Sequence, residues 1–199
     1  MRKIEAVELV SLDGVMQGPG SPDEDTRGGF GRGGWAAPFA DELLIREMST
    51  GFGQNEILLG RWTYEKFYAY WPTAPKPNPF TDVLNETMKY VASNSLTEPL
   101  PWVNSTLLTG DATANVAELK AKSGKDLVIL GSGELVRSLI ATDLVDRFTL
   151  VIHPLVLGSG RRLFPDGGPP ARLKLTRSVP TTTGVLIARY ERDSEEATR

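Results

Sequence analysis

The chain has 199 residues, 40% hydrophobic and 24% charged, enough to bury the core of one large domain. A formal net charge of −3 and a pI of about 5.3 exclude a generally basic nucleic-acid binder. The absence of cysteine removes disulfides, thiolate nucleophiles, iron–sulfur ligation and cysteine-based zinc sites. The single histidine, His153, removes a histidine-rich metal centre. No metal is expected, and the reactive group is expected to come from a cofactor. No apolar leader opens the chain and no run approaches ~18 apolar residues, so a cytoplasmic protein without a membrane span is expected.

Residues 3–10 read as a strand running into the turn Ser11-Leu12-Asp13-Gly14. Residues 17–34 are dense in glycine and read as a long loop, expected to be a mobile lid. Phe39, Leu43, Leu44 and Met48 form a helical stripe, which predicts a helix over 38–48 with Pro38 near its start. Residues 56–60 read as a buried parallel strand, 63–70 as a helix and 73–80 as a proline-dense loop. A short helix over 81–87 and a strand over 89–93 follow. A strand at 106–109, a helix over 112–122, a strand at 127–130 and a helix over 134–141 continue the alternation.

Residues 148–157 read as a long apolar strand broken by Pro154, and 173–179 with 185–190 as an antiparallel pair. A polar tail occupies 193–199. The pattern predicts one domain over 1–192. Its class is α/β, three-layer, with a mostly parallel central sheet and an antiparallel C-terminal edge.

Three segments share one design, an apolar strand, a tight polar turn and a helix start: 58–63, 91–95 and 129–135. Loops of this kind converge at the carboxyl ends of parallel strands. A helix N-terminus there offers free N–H groups to anions. With Arg61 in the first segment, the set points to a phosphate-rich ligand. The third is not the Rossmann fingerprint, since Val136 stands where its last glycine would be.

Taken together, several motifs resemble the dihydrofolate-reductase-like superfamily that includes the reductase domain of riboflavin biosynthesis. They are Ser11-Leu12-Asp13-Gly14, Leu59 to Glu65, Val91 to Asn94, Leu130 to Leu135, and His153 to Gly160 with Leu163-Phe164. The resemblance implies NADPH-dependent reduction of a pteridine or pyrimidine, as in 5-amino-6-(5-phosphoribosylamino)uracil reductase. The alternatives are a dihydrofolate reductase or a non-catalytic nucleotide-binding relative. It implies that Gly60, Arg61 and Thr63 hold cofactor phosphates and that Ser93 and Asn94 lie beside the adenosine ribose. Gly131, Ser132, Gly133, Glu134 and Leu135 then form the turn under the pyrophosphate and nicotinamide. Many relatives carry a basic residue where Asn94 stands.

Asp13 is expected to line the active site, with an Asp-Gly turn as its alternative. Asp41, with Trp35 and Pro38, is expected to be the acid of the substrate helix, with a first-turn helix acid as its alternative. His153, inside an apolar strand, reads as structural. The aromatic cluster 62–71 reads as packing, with no nucleic acid expected. A small-molecule substrate is expected, and so is a homodimer through 148–157, taken as an exposed apolar edge, with a buried central strand in a monomer as the alternative.

Overall fold

Strand β1 (Ile4–Ser11) buries Ile4, Ala6, Val7, Glu8, Val10 and Ser11, near-continuous burial that marks a strand inside a sheet covered on both faces. The computed structural model describes residues 1–50, 53–75, 78, 80–168 and 170–193. Of the expected polar tail only Asp193 is described, and positions 76, 77 and 79 of the proline-dense loop lie outside the described residues.

The strands are β1, β2 (Glu56–Gly60), β3 (Lys89–Ala92), β4 (Ser105–Leu108), β5 (Leu127–Leu130), β6 (Arg147–His153), β7 (Leu173–Pro180) and β8 (Leu186–Arg192). Their order across the sheet is β4-β3-β2-β5-β1-β6-β8-β7. The pairs β2–β3, β2–β5 and β3–β4 are parallel, and β6–β8 and β7–β8 are antiparallel. This is the expected mostly parallel sheet with an antiparallel C-terminal edge. The chain forms two compact units, Met1–Ala6 with Glu47–Val145 and Val7–Arg46 with Asp146–Arg199.

In the first unit, the helices α2 (Arg61–Tyr70), α3 (Thr81–Glu86), α4 (Ala112–Ala121) and α5 (Gly133–Ala141) follow strands or loops as their apolar faces require. Ile57, Leu59, Tyr64, Leu84, Val91 and Trp102 form one buried cluster. The Tyr64 hydroxyl accepts the Trp102 N–H at 3.0 Å, which fixes the loop after β3. Lys89 is wholly buried, donating from Nζ to the carbonyls of Leu84 and Thr87 at 2.7 Å each. Its ammonium lies 4.6 Å from the centroid of the Trp102 ring. At the outer edge, Glu98 accepts the Leu107 N–H of β4 at 2.7 Å.

In the second unit, β6 lies between β1 and β8, so it is paired on both sides. The expectation that 148–157 is an open apolar edge is therefore wrong: the residues are apolar because they are interior. The strand also stops at His153, before Pro154. The terminal strand is β7, most of whose residues are exposed. The expected helix over 38–48 is two elements. Ala37–Phe39 form one 3₁₀ turn, Ala40 is extended, and α1 (Glu42–Ser49) begins only after Asp41. The break has a cause in Asp41, whose Oδ1 accepts the Leu44 N–H at 2.7 Å as an N-cap does.

The segment 17–34 is folded on itself. Gln17 is buried and donates to the carbonyls of Asp25 and Arg27, while its own carbonyl accepts the Trp35 indole N–H at 2.8 Å. Phe30 and Trp35 are buried with Val15 and Leu157.

Candidate functional site

In the first unit the parallel register sets Gly60 beside Ala92 and Ala92 beside Leu108. The residues that follow, Arg61, Ser93 and Thr109, therefore leave three adjacent strand ends. Helix α2 starts at Arg61, two residues earlier than the apolar pattern indicates, with Gly60 as its N-cap position. Arg61 and Thr63 thus lie in the first turn of a helix.

After β5, Gly131 (φ 60°) and Ser132 (φ 62°) are consecutive left-handed residues that turn the chain into α5. The glycine is needed for that conformation; the serine is held in it from outside. Its hydroxyl accepts the Gly60 N–H at 2.9 Å, which ties the third turn to the first. A β-carbon on Gly131 would meet the Thr63 side chain at 3.7 Å, so these turns are also in contact distance. The N–H groups of Gly133, Glu134 and Leu135 have no acceptor within the helix. Glu134 is exposed in the first turn, and Leu135 is buried.

Ser93 and Asn94 serve their own loop. The Ser93 hydroxyl accepts the N–H groups of Ser95 and Leu96 at 3.2 Å each. The Asn94 side chain accepts the Gly110 N–H and donates to the Gly110 carbonyl. Arg61 pairs with Glu65 at 3.0 Å, with both side chains 43% exposed.

In the second unit, Asp13 accepts the Ser11 hydroxyl at 2.6 Å, the Leu157 N–H at 3.0 Å and the Gly158 N–H at 2.8 Å. The Ser11 bond, with those two backbone bonds, pulls its carboxyl down to about 2. Asp41 accepts the Thr182 N–H at 2.8 Å and the Thr182 hydroxyl at 2.6 Å on Oδ2, besides capping α1 through Oδ1. These bonds, the Thr182 hydroxyl first, hold its carboxyl below the usual carboxylate range. Both acids are therefore ionised near neutral pH and fixed as acceptors. His153 is fully buried between the edges of Trp35 and Phe39, at ring distances of 5.1 and 5.7 Å. Burial pushes its imidazole below the usual histidine range.

Sequence reasoning missed Glu65 and Thr182. The first was legible, because residues four apart share a helix face. The second was not, because its partner Asp41 lies 141 positions away.

The RibD C-terminal domain family matches residues 2–187. The uncharacterized protein YyaP of Bacillus subtilis (strain 168) is 31% identical over 142 residues, covering 68% of this chain and 73% of that one. A pyrimidine reductase-like protein from Corynebacterium diphtheriae superposes with a TM-score of 0.66 at 16% identity, over 96% of this chain and 92% of the other. Dihydrofolate reductase from Enterococcus faecalis, complexed with NADP(H), gives a TM-score of 0.60 at 15% identity, over 96% of each chain. The fold is thus dihydrofolate-reductase-like.

Proposed function

Because this chain belongs to the RibD C-terminal domain family, we propose that it is an NADPH-dependent reductase of a pteridine- or pyrimidine-type heterocycle. The observation that carries the reading is the locked pair of turns, Gly60-Arg61 and Gly131-Ser132, joined by the Ser132 hydroxyl. The donor set suits a dinucleotide: a helix N-terminus for a pyrophosphate, a guanidinium for a phosphate, and a left-handed glycine that leaves the backbone accessible. Likeness to a reductase complexed with NADP(H) supports the same cofactor.

When bound, NADPH supplies a hydride to a C=N or C=O carbon of the substrate. The chain's part is binding and orientation. N–H groups of residues 133–135 and the Arg61 guanidinium hold phosphate oxygens, and Ser132 keeps the two turns in register. Asp13 and Asp41 are held as carboxylates by their own neighbours and store no proton at neutral pH, so the proton that completes the reduction comes from water. The active form is a cytoplasmic homodimer, in which the terminal strand β7 supplies a pairing surface.

Titration with NADPH, followed by nicotinamide fluorescence, tests the cofactor. NADPH absorbance with dihydrofolate and with the ribityl-pyrimidine intermediate then tests the substrate. Micromolar binding and turnover of a pyrimidine are expected; no binding at millimolar NADPH overturns the reading. Light scattering tests the dimer, which a mass of 21.7 kDa, that of one chain, would overturn.

A further inference from the structure

We infer that the sheet face carrying Arg177 and Arg189 binds a phosphate-type dianion between these two residues. The site lies wholly in the second unit and does not rest on the cofactor reading, which concerns turns of the first.

The register sorts the side chains of β6, β8 and β7 into rows, because opposed residues of antiparallel strands stand on one face. Arg147 is beside Glu191, and Glu191 beside Lys174. In the next row Thr149 is beside Arg189, and Arg189 beside Arg177. Val151, Ile187 and Val179 form the third. His153 follows on the same face, and Trp35 and Phe39 pack on it, so that end is closed. The other end sets the cations Arg147, Lys174, Arg177 and Arg189 against Glu191 alone within the three strands. Glu191 is already held by Arg147 at 3.1 Å.

A bulge makes the Arg177–Arg189 juxtaposition. The register shifts by one residue between Leu175 and Arg177, so Thr176 and Arg177 together oppose Arg189. The Thr176 hydroxyl donates to the Arg189 carbonyl at 3.1 Å and pins the extra residue in place. An unbulged strand would set Thr176 opposite Arg189 and turn Arg177 to the other face.

Like charges directly opposed on neighbouring strands destabilise the pair. One of these two is also partly enclosed. Arg189 is half-buried, and its Nε is shut off from solvent with no acceptor among the described residues. An unbonded buried donor costs free energy that a bound acceptor recovers. Arg177 is exposed and forms the side from which a ligand enters. A dianion neutralises both guanidiniums where a carboxylate neutralises one, and phosphate oxygens match the guanidinium fork. The dianion is free phosphate or the phosphoryl group of a small metabolite.

Thermal melts and calorimetry with inorganic phosphate, set against chloride at equal ionic strength, test the site on the full chain, on Arg177→Gln and on Arg189→Lys. The wild type is expected to melt higher in millimolar phosphate than in chloride. Arg177→Gln is expected to bind phosphate at least about tenfold more weakly. Arg189→Lys keeps the charge without the fork and should fall between the two. Glycerol phosphate separates the sources: tighter binding than inorganic phosphate assigns the site to a phosphorylated metabolite, and equal or weaker binding assigns it to free phosphate. No phosphate-specific stabilisation of the wild type, or one that Arg177→Gln retains in full, overturns the inference. NADPH titration of the same proteins reads the first unit separately, so failure here leaves the cofactor reading intact.

Discussion

The hydroxyl of Ser132 accepts the N–H of Gly60 at 2.9 Å across 72 positions of sequence. Two turns that sequence alone presents as separate signals are one object, because the strands that carry them, β2 and β5, are neighbours.

Replacing the hydroxyl tests this coupling. Ser132→Ala leaves the Gly60 N–H without its acceptor and is expected to cost about 1–2 kcal/mol of stability. NADPH affinity is expected to fall roughly fivefold to tenfold with it. Urea unfolding and calorimetry read the two effects; an unchanged affinity would mean that the turns bind independently.

Asp13 makes stability depend on acid. Its folded pKa of about 2 lies below its ordinary 3.8, so the folded state favours the carboxylate. That contribution, about 1–2 kcal/mol, is complete above pH 3.8 and is lost as pH falls toward 2. Asp13→Ala also strands the N–H groups of Leu157 and Gly158 and should destabilise at every pH. The gap between thermal melts of the two proteins should narrow, without closing, as pH falls from 7 to 2.

Lys89 acts in the opposite range. Burial pushes its ammonium down to about 8 from 10.5, so the unfolded chain binds the proton more tightly. Stability from this group therefore rises between pH 8 and 10.5, by about 3 kcal/mol at most. Lys89→Met removes the titration, and the wild type should gain on it as pH is raised. Parallel pH profiles for the two would show that the buried amine does not titrate.

The 17–34 segment is pinned by backbone closeness at Gly33. A β-carbon there would lie 2.7 Å from the Ser21 carbonyl oxygen and closer still to that of Pro22. Gly33→Ala is expected to open the loop and release the Trp35 indole from the Gln17 carbonyl. Tryptophan emission should shift to the red and amide exchange in 17–34 should accelerate. An unaltered spectrum would show that the loop adapts.

The sheet was legible because β2 and β5 are short unbroken apolar runs, which is what burial on both faces requires. The position of β6 was not, since apolarity records burial and not which strands do the burying. Asp41 shows a second limit. A capping acid and a catalytic acid are the same residue type at the same place, and only the Thr182 contact distinguishes what occupies its oxygens. Ser132 shows a third, for a non-glycine left-handed residue is imposed by tertiary contact and leaves no mark in composition.

The Glu98 carboxylate sits where a ninth strand would place its carbonyl against the Leu107 N–H. Growth of the sheet beyond β4 would have to displace a charged acceptor and leave it in search of another donor. The price of entry at this margin is therefore an unpaired carboxylate oxygen, which closes β4 to a further strand.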